Sequence, residues 1–299
     1  MEFEIFEKEY DIANMKIDSY FENSMSNFIA VQEVYGESME TNDLKFVIES
    51  EDKLGDKIKK VFAAIIEAIK QFTKKISNAV QAKIREIKVK MISRKVTSKQ
   101  IAMLKAQLKA GNINKNAYKQ IVDLMKVTQK LIEEYNATTF KATAKLKSAK
   151  SAEEVQKIIE EVRFDREKWE KKLDVAEAFE DKLSPEDRQY IGCHFTINDC
   201  LKISDMVDKA GAEAEAIIKK FEAEAEKYSK DDEDELAAKK VEACKQAASN
   251  ASIAQKCKIC KFHEVTNFLI KCMGDVCMGI GIFLAGTALH DKIVGKNKD

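Results

Sequence analysis

LGDKIKKVFAAIIEAIKQFTKKISNAVQAKIREIKVKM, residues 54–91, decides the fold class. Its apolar side chains recur at Leu54, Ile58, Val61, Ile65, Ile69, Phe72, Ile76, Val80, Ile84, Ile87 and Met91, with no Gly or Pro after Gly55. That spacing, about 3.7 residues, is the period of an amphipathic α-helix, and it is slightly too long for the 3.5-residue seam of a left-handed coiled coil. At 1.5 Å per residue such a helix is about 60 Å long. Lys57, Lys60, Lys70, Lys74, Lys75, Lys83, Arg85 and Lys88 occupy its remaining faces.

The rest of the 299 residues agree with this stretch. One Pro and 10 Gly are too few for folds whose strands need turn residues every 8 to 12 positions or so, while 45% apolar and 34% charged residues suit helices with a buried and a solvated side. The expected fold is all-α: an elongated multi-helix bundle with long amphipathic helices and a smaller C-terminal helical unit. Thr97 or Ser98 caps a short helix, the turn at Gly111-Asn112-Ile113-Asn114 separates it from another over about 115–149, and the two are expected to run antiparallel. Ser151-Ala152-Glu153-Glu154 is a capping-box pattern opening a helix with Val155, Ile159, Val162, Trp169, Leu173 and Ala176 on one face. Ser184-Pro185 ends one element and starts the next. Thr196 with Asp199 starts another, whose apolar face runs through Ile203, Val207, Ala210, Ala214, Ile217, Phe221, Ala225 and Tyr228. The acidic run from Asp231 to Glu235 suits the positive end of a further helix.

Charge divides the chain more sharply than hydropathy. Lys plus Arg and Asp plus Glu both total 51, yet residues 1–52 hold 14 acids against 3 bases, whereas 53–95 hold 13 bases against 3 acids and 96–150 hold 11 against 3. The organisation expected is an acidic N-terminal arm (1–52), a basic long-helix bundle (53–183), a helical domain (184–264) and a Gly-rich apolar C-terminal segment (265–299). The basic stretch is either neutralised by the acidic arm or kept for an anionic partner.

No catalytic pattern emerges. Cys257, Cys260 and His263 have the residue types of a zinc site, but on a helix they diverge by about 60° per step, which favours buried thiols over metal ligation. His263-Glu264-Val265-Thr266-Asn267 lacks the second histidine of a zincin, and Gly281–Thr287 lacks the lysine of a phosphate loop. Cys193 and His194 are sequence neighbours, whereas a nucleophile and its base normally come from separate segments. No enzyme activity and no cofactor are expected. Seven cysteines, an odd number, together with the acidic start MEFEIFEKEY, point to cytosolic synthesis and reduced thiols. Residues 276–290 are uncharged, 15 positions where a spanning helix needs about 20. They are read as a partner-facing or buried helix, a membrane-inserting segment through Val276, Ile280, Ile282, Phe283, Leu284 and Leu289, or an irregular tail.

Over roughly its first 100 residues the chain resembles in layout the helical virion-associated proteins of tailed bacteriophages. The resemblance rests on the acidic arm followed by GDKIKKVFAAIIEAIKQFTKKI and on the absence of an enzymatic signature. It implies an internal or structural virion component lining or filling the capsid or portal region, and Ser38-Met39-Glu40 is similar to the small-x-Glu sites cut by prohead proteases. The expected function is therefore structural or interactive, with the eight basic residues of 57–88 facing an anionic partner. Other proteins in an oligomer or larger assembly, nucleic acid bound without sequence preference and an anionic membrane are the partners considered. The alternative is a membrane-active helical protein inserting its C-terminal segment.

Overall fold

The structure, a computed structural model, describes residues 54–177, 182–229 and 234–296, with side chains over 58–173, 182–229 and 234–282. The acidic arm, Ser38-Met39-Glu40 and Asp231 to Glu233 lie outside the described residues, as do the side chains of Lys57, Phe283, Leu284 and Leu289. Among the described residues there are eight α-helices and no strand. They are α1 (Leu54–Ser93), α2 (Ser98–Ala110), α3 (Ala117–Ala144), α4 (Ala152–Glu161), α5 (Arg166–Glu177), α6 (Pro185–Gly192), α7 (Ile197–Tyr228) and α8 (Glu235–Lys296), with a 3-10 turn Lys145–Lys147 after α3. The chain is an all-α multi-helix bundle, as its composition requires.

α8 is the axis of the bundle. Its 62 residues would span about 93 Å, and α2, α3, α4, α6 and α7 all pack on it. Small side chains explain how so many neighbours reach one helix: Ala243, Cys244, Ala247, Ala248, Ala251 and Ala254 are all at most 1% exposed. Larger residues take over from Ile259 to Ile280, where Phe262, Leu269 and Met273 fill the interior. The helix crosses position 265 unbroken and stays helical to Lys296, so the described part of the C-terminal segment is not an irregular tail.

α7 and α1 run along this axis. α7 is antiparallel to α8, with the Lys258 ammonium 2.6 Å from Glu213 and the Cys200 thiol 3.9 Å from the Met273 sulfur. α1 is antiparallel to α7, paired through Lys59–Glu226 at 3.7 Å and Lys70–Glu215 at 3.2 Å. The α1 stripe differs locally from the sequence expectation. Phe62, Ile66 and Thr73 are buried, while Val61, Ile65 and Phe72 lie at the edge. Gly211 accounts for Thr73: a Cβ there would sit 2.6 Å from the threonine side chain, so α7 approaches α1 backbone-close at this point.

Gly192 makes the tighter crossing, since a Cβ on it would lie 2.3 Å from the Cys272 carbonyl oxygen of α8. Because a backbone oxygen cannot swing aside, Gly192→Ala is expected to lower stability in urea by about 2 kcal/mol, and Gly211→Ala by about 1 kcal/mol because a side chain can yield. Equal stability of both variants with the parent would contradict these contacts.

The caps match their sequence signals. Thr97, Ser151, Ser184 and Thr196 each accept the backbone N–H three residues on, and at Thr97, Ser184 and Thr196 the third residue reciprocates. Two elements differ from expectation. The helix opened by Ser151 breaks into α4 and α5, where the Phe164 N–H donates to Asn250 Oδ1 of α8 (3.1 Å), Tyr135 donates to the Val162 carbonyl (2.7 Å) and Asp165 caps α5. α2 packs on α8 and α6 rather than lying along α3.

Candidate interaction surfaces

The basic residues singled out on α1 do not share one face. At 100° per residue the buried side is centred near Phe62, Ile69, Val80 and Ile87, and Lys60, Lys74, Lys75 and Arg85 lie on the side away from it. Lys70 and Lys88 sit on the edge towards α7, where Lys70 is engaged by Glu215, and Lys83 sits half-buried on the edge towards α8, near His263. Lys74 and Lys88 are exposed and form no ion pair among the described residues; the Arg85 Nε–H donates to the Gln81 carbonyl at 3.3 Å. Between α1 and α7 an open cleft of about 290 Å³ is lined by Lys70, Lys74, Asn78, Asp208 and Glu215. Both charge signs on its walls leave no preference for one ion.

The C-terminal apolar residues divide as well. Val276 and Ile280 are 2% and 3% exposed and form a cluster with Leu104 and Leu108 of α2 and Tyr190 of α6. Val96, Ile101, Ile113, Tyr118 and Cys193 pack around it. Ile282, two residues past Ile280, is 70% exposed. Within α8 one 18-residue window reaches a mean hydropathy of 1.4, and 50% of that window is buried inside the protein. By length and composition α8 is the single described helix that qualifies for a membrane crossing; a core helix of a water-soluble bundle meets the same test.

A buried carboxylate secures this cluster. Asp187 accepts the backbone N–H groups of Asn114 and Ser184, tying the α2–α3 turn to the start of α6. Burial pushes its carboxyl up, but the Asn114 and Ser184 donors outweigh burial and hold it below the ordinary value. At the same cluster His194 stacks on Tyr118 at 4.2 Å and packs T-shaped against Tyr190, while its Nδ1 lies 2.8 Å from the Tyr190 carbonyl. Asp187→Ala is expected to cost about 2 kcal/mol in a denaturant titration, with Asp187→Asn recovering about half.

α1 ends beside this cluster in a Schellman turn: the Lys95 N–H donates to the Ile92 carbonyl and the Val96 N–H to the Met91 carbonyl. Lys95 takes the left-handed position, φ 50°, where glycine is favoured. Lys95→Gly is accordingly expected to raise stability by about 1 kcal/mol; an unchanged midpoint would count against the strain.

Among the described residues the cysteines and histidines do not assemble into a reactive centre. All seven cysteines are free, with Cys200, Cys244, Cys272 and Cys277 buried. Burial pushes the Cys193, Cys200 and Cys257 thiols up to about 11 and Cys244 and Cys260 up to about 12, away from the thiolate form a nucleophile or metal ligand needs. Cys257 and Cys260 lie near Arg166 of α5, whereas His263 lies near Lys83 of α1, so the three candidate zinc ligands turn to different neighbours. Among the described residues no group of three or more His, Cys, Asp or Glu is placed to hold a metal ion.

No family model, curated protein or solved structure matches this chain. Its geometry is therefore what bears on function. Sequence reasoning counted the basic residues after α1 but singled none of them out. Lys95, Lys99, Lys109, Lys115 and Lys119 are exposed and form no ion pair among the described residues. Their signal was present: no acid occurs between Glu86 and Asp123.

Proposed function

We propose that this chain is a non-enzymatic structural or interaction protein, docking through helix faces and a Lys-rich exterior to an anionic partner. The observation that carries the reading is the division of labour in the basic region. Lys59 and Lys70 are met by carboxylates of α7, while Lys74, Lys88 and the lysines after α1 stand in water without a role in holding the bundle together. Long-range attraction falls off with salt over a Debye length of about 8 Å at physiological ionic strength, so such a surface acts at contact. Assembly with other proteins in a virion, in the manner of the resemblance above, is one setting for it.

Retention of the full chain on heparin, eluted by salt, tests the reading. Replacing Lys74, Arg85, Lys88 and Lys109 by Glu is expected to lower the eluting salt concentration at least twofold with an unchanged melting temperature. Absence of retention for the parent chain would remove the proposal. The alternative, insertion of the apolar C-terminal segment, requires Val276 and Ile280 to leave the cluster with Leu104, Leu108 and Tyr190. It predicts flotation with vesicles that resists high salt and disappears when the chain is ended at Glu264.

A further inference from the structure

Six large apolar side chains are exposed among the described residues: Val89, Ile92, Met103, Val122, Leu201 and Ile282. They come from five different helices, yet every one lies at the same end of the bundle. Val89 and Ile92 are in the last two turns of α1, whose Lys90 lies by Asp275 and Cys277 of α8. Met103 adjoins Leu104 of the α2 face that packs on Val276 and Ile280, and Val122 is one turn beyond Tyr118, which packs on the same cluster. Leu201 follows Cys200, which meets Met273, and Ile282 is two residues after Ile280. At the opposite end, where α7 finishes and α8 begins, no large apolar side chain is exposed among the described residues.

Charge is sorted the same way. The run from residue 87 to residue 122 contains no acid, and Lys95, Lys99, Lys109, Lys115 and Lys119 stand exposed around the α2 side of the cluster. Of the acids nearby, Asp187 is consumed by the α6 cap, Asp199 by Thr196 and Lys202, Asp275 by Arg188 at 3.1 Å and Asp123 by Lys126 at 3.2 Å; Glu86, Glu186 and Asp205 remain exposed.

We propose that this end of the bundle is a docking surface for an anionic lipid bilayer. Scattered aliphatic side chains set among lysines fit a headgroup region, where the lysines meet lipid phosphates and carboxylates while the aliphatic tips enter the acyl boundary. A protein partner asks instead for one contiguous apolar core, and single-stranded nucleic acid for exposed aromatic platforms. The one aromatic residue of 87–122, Tyr118, is stacked on His194. The α8 axis continues as helix to Lys296 from this same end, through a stretch uncharged from 276 to 290. Val276 and Ile280 stay in the core, so docking needs no unfolding. This inference rests on the anionic-partner reading and specifies both the partner and the place.

The full chain is to be floated with phosphatidylcholine vesicles with and without phosphatidylserine, at low and high salt. Binding is expected with phosphatidylserine alone, weakening as salt rises. Two variants should each lower the partition coefficient at least tenfold: K99E/K109E/K115E/K119E, and I92S/M103S/I282S, which keeps the charge unchanged. The control K168E/K171E on α5, whose side chains are exposed and belong to neither surface, should leave it within twofold. All the substituted side chains are exposed, and circular dichroism melts verify that each variant folds. Hydrogen exchange of the parent chain on vesicles is an independent readout, with added protection expected in 88–122 and the end of α8 and none in 58–85. Loss of binding in K74E/R85E on mid-α1 but not in the end variants would overturn the inference and leave the anionic-partner reading standing. Retention on heparin without vesicle binding would do the same, whereas binding to neither would sink both.

Discussion

Glu213→Ala is expected to destabilise the bundle by about 3 kcal/mol, although Glu213 itself is half in water. Its partner Lys258 is the reason: the lysine side chain is 2% exposed, sits between α7 and α8, and reaches the Glu213 carboxylate at 2.6 Å with the Phe262 ring 5.9 Å from its ammonium. Removing the carboxylate leaves an uncompensated ammonium in the interior, the costly way to break such a pair, and the partial exposure of Glu213 places the loss at the lower end of the usual range. Lys258→Met should behave quite differently. It replaces the stem with an apolar chain of similar volume and strands only a surface carboxylate, so its stability should fall within about 1 kcal/mol of the parent. The double variant E213A/K258M should then lie well above E213A alone. Urea titrations of the four proteins give the coupling directly; a single-variant loss under about 1 kcal/mol for Glu213→Ala would show that the ammonium finds water.

The second large effect is in pH. His263 is 1% exposed, and burial, reinforced by nearby Lys83 of α1, depresses its pKa to about 4, against about 6.5 in an unfolded chain. Between those values the unfolded state binds the proton and the folded state does not, so stability falls as the solution is acidified. The contribution is complete above about pH 6.5 and about 3 kcal/mol is lost on reaching about pH 4. Carboxylates titrate over part of the same window, which makes the difference between parent and His263→Gln the informative quantity. His263→Gln keeps a neutral polar group beside Asn267 and should flatten the stability profile between pH 6.5 and 4. Parallel profiles for the two proteins would mean that His263 takes up its proton without disturbing the contact between α1 and α8.

Much of the architecture was legible because it is written in local chemistry. The caps at Thr97, Ser151, Ser184 and Thr196 declare themselves in side-chain type and spacing. The periodicities of α1 and α7 give the helices themselves, and the α1 stripe erred where neighbouring apolar doublets, Val61-Phe62 and Ile65-Ile66, left the face ambiguous and where Gly211 of α7 draws Thr73 inward in place of Phe72. What stayed hidden depends on partners distant in sequence. The break between α4 and α5 has no Gly or Pro and is held open by Asn250, 86 positions from Phe164. The burial of Lys258 and His263 follows from which helices enclose α8, not from anything adjacent to them. The basic lysines after α1 were visible as composition, but their gathering around Val276 and Ile280 needed the fold.

One consequence of the central helix concerns the order of events during synthesis. α8 leaves the ribosome after every helix that packs on it, so α2, α3, α4, α6 and α7 spend most of translation without the surface that buries them. The parts of α1 and α7 that meet α8 are exposed for that interval, and the contacts that close the structure join residues far apart in the chain. Until the alanine-lined rod of α8 emerges, the nascent chain holds apolar helix faces in water, the kind of exposed surface that makes a folding chain prone to aggregate.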